Sequence, residues 1–375
     1  MTLLASRTAP PRALIAAGGT GGHVYPALAV ANHLIAKGWA IDWVGTARGI
    51  ESRVIPAAGL PLHALSVSGL RGKHFLSRLA GIPRLIWALL QSLKLLWRIK
   101  PDVVLGMGGY AAGPAGLAAW TMGRPLVIHE QNAVAGTTNR WLAPLAKVLL
   151  CGFANAFPHR YQAREVGNPV RSDLLTAGEQ TATKGPSSGQ PVIFRLLVLG
   201  GSLGAAPLNR MMPATVQQII TQIDDCALEV RQQCGSRNRA EAEALWANIP
   251  HAKLTLFDFI DDMAEAYQWA DLVIARAGAL TVSELAVTGT PSILIPLPHA
   301  IDDHQTANAR VLEQSGGAIL IPQNEANEAS LSKAIAQLIK APDTLSQMSR
   351  AARAVARPDA TEKVVKVLEE VVYAG

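Results

Sequence analysis

The chain is poor in cysteine, in acidic residues over one long interval and in extended apolar runs, and each shortage excludes something. Cys151, Cys226 and Cys234 are odd in number and scattered, which suits reduced thiols and leaves no disulfide framework or cysteine metal cluster to build a fold on. Nowhere does an apolar run of about 18 residues occur, so no segment reads as a spanning helix. The first twelve residues, with Arg7, Arg12 and two prolines, carry no recognisable secretory signal. No Asp-x-Asp pair occurs, and the consecutive ligands Asp302, Asp303 and His304 fit poorly around one ion, so no metal is expected. Between Glu51 and Asp102 there is no acidic residue, while Arg53, Arg71, Lys73, Arg78, Arg84, Lys94, Arg98 and Lys100 all fall there.

What is present is enough for two cores. A chain of 375 residues with 49% hydrophobic content exceeds one ordinary domain and suggests two of fewer than about 200 residues each. The formal charge of +6 favours anionic partners without choosing among nucleic acid, anionic lipid and a phosphorylated substrate.

One device recurs along the chain. Leu14–Ala17 reads as a buried strand and Gly18-Gly19-Thr20-Gly21-Gly22-His23 as a turn. Pro26–Lys37 has helical periodicity and Ala40–Val44 reads as a second strand. Glycines let backbone amides approach a phosphate closely, and the following helix turns its positive end towards it. A dinucleotide fingerprint fits poorly, because Val24 stands where the third glycine belongs and Asp42 falls inside the strand. The device returns at Asp102–Leu105 with Gly106-Met107-Gly108-Gly109-Tyr110 and the helical stretch Ala111–Met122. It returns again at Arg195–Leu199 with Gly200-Gly201-Ser202-Leu203-Gly204, and at Leu272–Ile274 with Ala275 to Glu284. In this last copy amides near Ala279–Thr281 suit a diphosphate and Glu284 suits ribose hydroxyls, although Thr281-x-x-Glu284 is also an ordinary capping box.

Two more strands deliver polar residues at their carboxyl ends, where open α/β sheets bind ligands. Pro125–Ile128 delivers His129, Glu130, Gln131 and Asn132, and Ser292–Ile295 leads to His299 through Gln305. The pattern is α/β, two Rossmann-like doubly wound domains, spanning 1–167 and 168–358, with the last helix, 359–375, able to pack back on the first or to dock on the second. In the basic interval Phe75, Leu79, Ile82, Ile86, Leu89, Leu93 and Leu96 form one helical stripe and Trp87, Gln91, Lys94 and Arg98 another. Such a segment either turns its apolar stripe to a core or lies on anionic headgroups.

Taken in order, Gly18–His23, Gly106–Tyr110, His129–Asn132, Gly167-Asn168-Pro169-Val170-Arg171, Gly200-Gly201-Ser202 and Arg276–Glu284 resemble the MurG family, the N-acetylglucosaminyltransferases of bacterial peptidoglycan synthesis. The resemblance covers about Ala13 to Glu362. It implies the glycosyltransferase type B fold, two Rossmann-like domains facing across a cleft, with no cofactor and no nucleic acid. UDP-N-acetylglucosamine would be the donor. The amides of Ala279, Leu280 and Thr281 would face its diphosphate, with Val282 and Ser283 also in the donor site, Glu284 would face its ribose and Ile260 its uracil, and Arg171 and Ser202 would add contacts to the nucleotide diphosphate. Asn132 and Gln305 would address the sugar. Thr20, Gly21 and Gly22 would close over the donor, with Gly108, Gly109 and Tyr110 facing the acceptor, lipid I.

The resemblance also implies a peripheral enzyme at the cytoplasmic face of the inner membrane, held to an anionic surface through 71–100 with Trp120 extending it, and working beside other cell-wall synthesis proteins. Leu203 and the run Gln233-Cys234-Gly235 depart from the family's usual Gln and Thr or Ser. For an inverting displacement by the acceptor's C4 hydroxyl, His23 is the first candidate general base and Glu130 the second. A glycosyltransferase acting on a soluble acceptor and a non-enzymatic nucleotide-binding protein are the other two readings.

Overall fold

A computed structural model describes residues 9–67, 81–181, 192–201, 204–223, 226–247, 249, 252–298 and 303–373. The chain divides into two compact units, one running to Val170 and resuming at Asp359, the other Arg171–Pro358.

The first unit is a parallel sheet of seven strands: β1 (Arg12–Ala16), β2 (Ala40–Thr46), β3 (Leu62–Leu65), β4 (Val103–Gly106), β5 (Leu126–Glu130), β6 (Val148–Cys151) and β7 (Arg164–Glu165). Their order is β3-β2-β1-β4-β5-β6-β7. The apolar runs of β1 and β4 are buried on both faces, as helices covering a parallel sheet require. Trp43 from β2, Leu34 from the helix Gly21–Ala36 and Val364, Leu368 and Val371 from the C-terminal helix Ala360–Tyr373 share one core layer. That helix belongs to the first unit, clamped further by the Lys37 to Glu369 ion pair at 2.8 Å and an edge contact of Tyr373 with Trp39. Leu368→Ala, at a wholly buried position, is expected to lower unfolding free energy by about 2–5 kcal/mol, read from the denaturant midpoint.

The second unit repeats the plan with β8 (Val192–Leu199), β9 (Cys226–Gln233), β10 (Ala252–Phe257), β11 (Leu272–Ala275), β12 (Ser292–Leu294) and β13 (Ala318–Leu320), ordered β10-β9-β8-β11-β12-β13. Each sheet reverses strand order beside its first strand, between β1 and β4 and between β8 and β11. That is where open sheets leave a crevice at their carboxyl ends. The glycine turns after β1, β4, β8 and β11 all issue at those two points.

Several boundaries depart from the sequence reading. The first long helix starts at Gly21, not at Pro26. Proline suits a first helical position, but here Gly21, Gly22 and His23 already form the opening turn and Pro26 sits inside the helix. His129 and Glu130 are the last two residues of β5 rather than a loop beyond it. Asp42 lies within β2 and is committed to His63 at 2.7 Å and Arg12 at 3.2 Å. In the helix Gly81–Ile99 the inward face is Ala88, Ser92, Leu95 and Leu96. Ile82 and Ile86 stay out in solvent with Trp87, Leu90 and Trp97, so of the two readings of the apolar stripe its upper half does not turn to a core. Phe75 and Leu79, with Arg71, Lys73 and Arg78, lie outside the described residues.

Candidate active site

In the first unit the turn after β1 is shaped from behind by a carboxylate. Glu51 opens the short helix Glu51–Ala57 and is wholly buried. It accepts the Gly19 amide at 2.9 Å, the Thr46 amide at 2.8 Å and the Thr46 hydroxyl at 2.7 Å. A Cβ on Gly18, Gly45 or Gly49 would run into the Glu51 side chain, so these three glycines make room for it.

From the other side the turn after β4 closes in. Gly108 and Gly109 have φ of +92° and +83°; a Cβ on Gly109 would strike the Gly18 carbonyl, and one on Gly108 would lie 2.7 Å from the His23 ring. The Thr20 hydroxyl meets His23 Nδ1 at 3.3 Å, and the Thr20 carbonyl accepts the amides of His23 and Val24. His23 is therefore seated between Thr20 and Gly108, half-buried, and Tyr110, on the turn after β4, is half exposed.

At the end of β5, His129 is completely buried, and burial pushes its imidazole down to about 4 against the opposing pull of the Gly167 carbonyl and the Glu130 charge. It is neutral near pH 7, with Nε2 donating to the Gly167 carbonyl at 2.9 Å and Nδ1 accepting from Gln131 at 3.0 Å. Glu130 is 1% exposed. Its carboxylate accepts the Asn132 amide and side chain, the Gly136 amide and the Asn139 side chain, all within 3.0 Å. With four donors already in place it fixes the Asn132 loop.

The second unit gathers the residues assigned to the donor. Gly278 caps the helix Ala279–Thr288, whose first amides have no carbonyl partner of their own helix. Val282 is 1% exposed with its amide donating to the Gly278 carbonyl at 2.9 Å, and the Ser283 hydroxyl bonds back to the Ala279 carbonyl at 2.9 Å, so the amides the helix leaves unused are those of Ala279, Leu280 and Thr281. Glu284 accepts from the Tyr267 hydroxyl at 2.9 Å. Burial raises its carboxyl to about 7, the Tyr267 hydroxyl and the Arg171 guanidinium pulling the other way.

Arg171 approaches because the helix Ser172–Thr181 packs so tightly at Gly178 that a Cβ there would overlap the Val287 carbonyl. Its guanidinium also reaches the Asp261 carbonyl at 3.4 Å, beside the buried Ile260. Gln305 opens the helix His304–Ser315 and uses its Oε1 to hold the Leu297 amide at 2.9 Å. Ser202 and Leu203 lie outside the described residues, as does Asp302. Cys234 is buried, with its thiol donating to the Phe257 carbonyl at 3.3 Å and pushed up by burial.

Two participants had no motif to announce them. Glu51 and Tyr267 are single polar residues in ordinary helical stretches. Arg276, 9% exposed, ties the end of β11 to the carbonyls of Ile295 and Pro296 and to Gln323. Among the described residues no group of three or more His, Cys, Asp or Glu side chains is placed to hold a metal ion.

Residues 13–150 match the family model described as the glycosyltransferase family 28 N-terminal domain, and residues 195–364 the model of its C-terminal domain. The chain belongs to glycosyltransferase family 28. It is 48% identical over 362 residues to the UDP-N-acetylglucosamine--N-acetylmuramyl-(pentapeptide) pyrophosphoryl-undecaprenol N-acetylglucosamine transferase of Stutzerimonas stutzeri (strain A1501), covering 96% of this chain and 98% of that one. Identity to the protein of the same name from Pseudomonas aeruginosa (strain LESB58) is 49% over 358 residues, again with 96% and 98% coverage. A crystal structure of MurG from Acinetobacter baumannii superimposes with a TM-score of 0.78 at 37% identity, over 96% of this glycosyltransferase and 100% of that chain.

Proposed function

We propose that this glycosyltransferase moves N-acetylglucosamine from UDP-N-acetylglucosamine to the C4 hydroxyl of the muramyl sugar of lipid I, giving lipid II and UDP in peptidoglycan synthesis. The observation that carries the reading is near-complete alignment, at 48–49% identity, with transferases named for that reaction.

The donor lies on the second unit. The amides of Ala279, Leu280 and Thr281 face its diphosphate, joined by Arg171 and Ser202, with Val282 and Ser283 in the helical turn that carries them. Glu284 takes the ribose hydroxyls, held in place by Tyr267, and the Ile260 backbone meets uracil. Gln305 and Asn132 address the sugar, Asn132 positioned by Glu130. The acceptor lies on the first unit, against Thr20, Gly21, Gly22, Gly108, Gly109 and Tyr110.

In the reaction the acceptor's C4 oxygen bonds to the anomeric carbon from the face opposite UDP. The bond from that carbon to the diphosphate oxygen breaks, and its electron pair leaves with UDP. His23 takes the C4 hydroxyl proton; a neutral imidazole is available near pH 7. Charge gathering on the leaving diphosphate is met by the helix-terminal amides and Arg171, preformed before the bond breaks.

The acceptor's polyprenyl tail places the working enzyme at the inner membrane's cytoplasmic face. No helix among the described residues is long and apolar enough to cross a membrane. Peripheral binding is supported by the outer face of the helix Gly81–Ile99, where exposed Ile82, Leu85, Ile86, Trp87 and Leu90 are interleaved with Arg84 and Lys94 and followed by Arg98. Trp120 is 52% exposed on a neighbouring helix. Paired Ile86→Glu and Trp87→Glu substitutions are expected to cut co-flotation with anionic vesicles at least tenfold. Lys94→Glu with Arg98→Glu gives a smaller loss that vanishes at high salt.

The reading is tested by UDP release from UDP-N-acetylglucosamine with three additions: none, a lipid I analogue, and the same muramyl peptide without its lipid diphosphate. Release only with the lipid I analogue is the expected result. Equal release with the lipid-free peptide would point to a soluble acceptor.

A further inference from the structure

The reaction as described uses His23 but not the carboxylate that builds the loop carrying it. We propose that Glu51 is a positioning residue for the transfer, fixing the Gly19–Thr20 backbone so that His23 stands at one distance and angle to the acceptor hydroxyl. The inference rests on the reading of His23 as general base.

Glu51 reaches His23 through the backbone of the turn. Its hold is relayed: Oε2 takes the Gly19 amide at 2.9 Å, and Gly19 leads into Thr20, whose carbonyl accepts the His23 amide at 3.1 Å and whose hydroxyl meets Nδ1 at 3.3 Å. The other oxygen is anchored to the end of β2 through the Thr46 amide and hydroxyl. Thr46 Oγ1 in turn accepts the Gly49 amide at 3.2 Å. The carboxylate thus fastens the turn after β1 to the body of the sheet.

Two features separate this from ordinary packing. Three glycines, Gly18, Gly45 and Gly49, leave out the Cβ that would collide with the Glu51 side chain, so three positions are shaped around one acid. Gly19 itself has φ of +92°, a conformation favourable only to glycine, and the Glu51 bond to its amide holds it there. All the donors that reach the carboxylate are N–H or O–H groups. An amide in its place keeps one acceptor oxygen and turns an N–H against a donor, so Glu51→Gln preserves shape while releasing either Gly19 or Thr46. A loosened turn lets His23 drift, and misplacement of about 1 Å at a reacting group costs on the order of a hundredfold.

The test is a double-mutant cycle in the full-length enzyme, assayed with UDP-N-acetylglucosamine and a lipid I analogue. Glu51→Gln is expected to lower kcat by about 10-fold to 100-fold while the donor KM moves less than about threefold. In a His23→Ala background the same change is expected to have less than about a threefold further effect, since there is no base left to position. Thr46→Val, which removes one hydroxyl donor and keeps the side chain's volume, moves kcat in the same direction by less, and serves if Glu51→Gln folds poorly. Wild-type kcat in Glu51→Gln, or losses that multiply with His23→Ala, would overturn the proposal and leave the base assignment standing. Near-normal turnover in His23→Ala alone would instead remove the base assignment, and the role of Glu51 with it.

Discussion

His23→Ala is expected to lower kcat by about 10²- to 10⁴-fold at saturating donor and acceptor, the range for losing a general base. UDP binding, assigned to the second unit, should change less than about threefold by calorimetry. The size follows from placement. The ring is seated by the Thr20 hydroxyl and crowded by Gly108, so little entropy is lost in aligning it when the acceptor arrives. His129, another histidine at a strand's carboxyl end, has both ring nitrogens committed to the Gly167 carbonyl and Gln131. Glu130 already accepts four donors, so Glu130→Gln should act through the Asn132 loop and raise the donor KM along with its effect on kcat. A His23→Ala enzyme within about threefold of wild-type kcat would move the base elsewhere.

Removing Glu284 should produce the largest loss in donor binding. Glu284→Ala takes away a charged acceptor for ribose hydroxyls and strands the buried Tyr267 hydroxyl, and a charge-assisted hydrogen bond contributes about 1.5–3 kcal/mol. The donor KM should therefore rise about 10-fold to 150-fold. The same residue gives the interaction a pH signature. Burial holds the Glu284 carboxyl at about 7 in the free protein, and the donor's diphosphate diester keeps its charge throughout that range. Donor affinity should therefore fall as pH drops through about 7, when the carboxylate is protonated, and Glu284→Gln should flatten the profile.

Stability of the ligand-free protein runs the opposite way. An acid whose folded pKa is raised exacts no penalty below its unfolded value of 4.5, and a growing one between there and about 7. Glu284→Gln should accordingly stabilise the free protein at pH 8 and leave it unchanged near pH 4, by an amount on the order of 3 kcal/mol at most. An affinity that is flat from pH 6 to 8 in the wild-type enzyme would contradict the assignment of Glu284 to the ribose.

The strand and glycine-turn units were readable because two strong local signals coincide there, an apolar run and a cluster of residues free to take positive φ. β9 went unread for the opposite reason: Glu229, Arg231, Gln232 and Gln233 break its apolar pattern, and their fit to the sheet depends on distant partners such as Trp246, Asn209 and Glu265. The helix Pro342–Ala354 is hard to read in sequence because a proline commonly marks a break, whereas Pro342 occupies the first turn, a place proline suits. On the helix Gly81–Ile99, periodicity identified the helix but not which arc turns inward. That is decided by the small residue Ala88 and by Ser92, which bonds back to the Ala88 carbonyl. Glu51 and Tyr267 were invisible because a single polar residue has no spacing to recognise; their parts come from side chains far away in sequence.

In the proposed reaction this chain builds a β-1,4 link between N-acetylglucosamine and the muramyl sugar of lipid I. It is tested most directly by incubating the enzyme with UDP-N-acetylglucosamine and a lipid I analogue, isolating the lipid product and reading the anomeric proton coupling of the added sugar by NMR. The account predicts one added N-acetylglucosamine with the large diaxial coupling of a β-linkage, and one UDP released per sugar transferred. An α-linked product, or no disaccharide from an enzyme that still binds UDP, would contradict it.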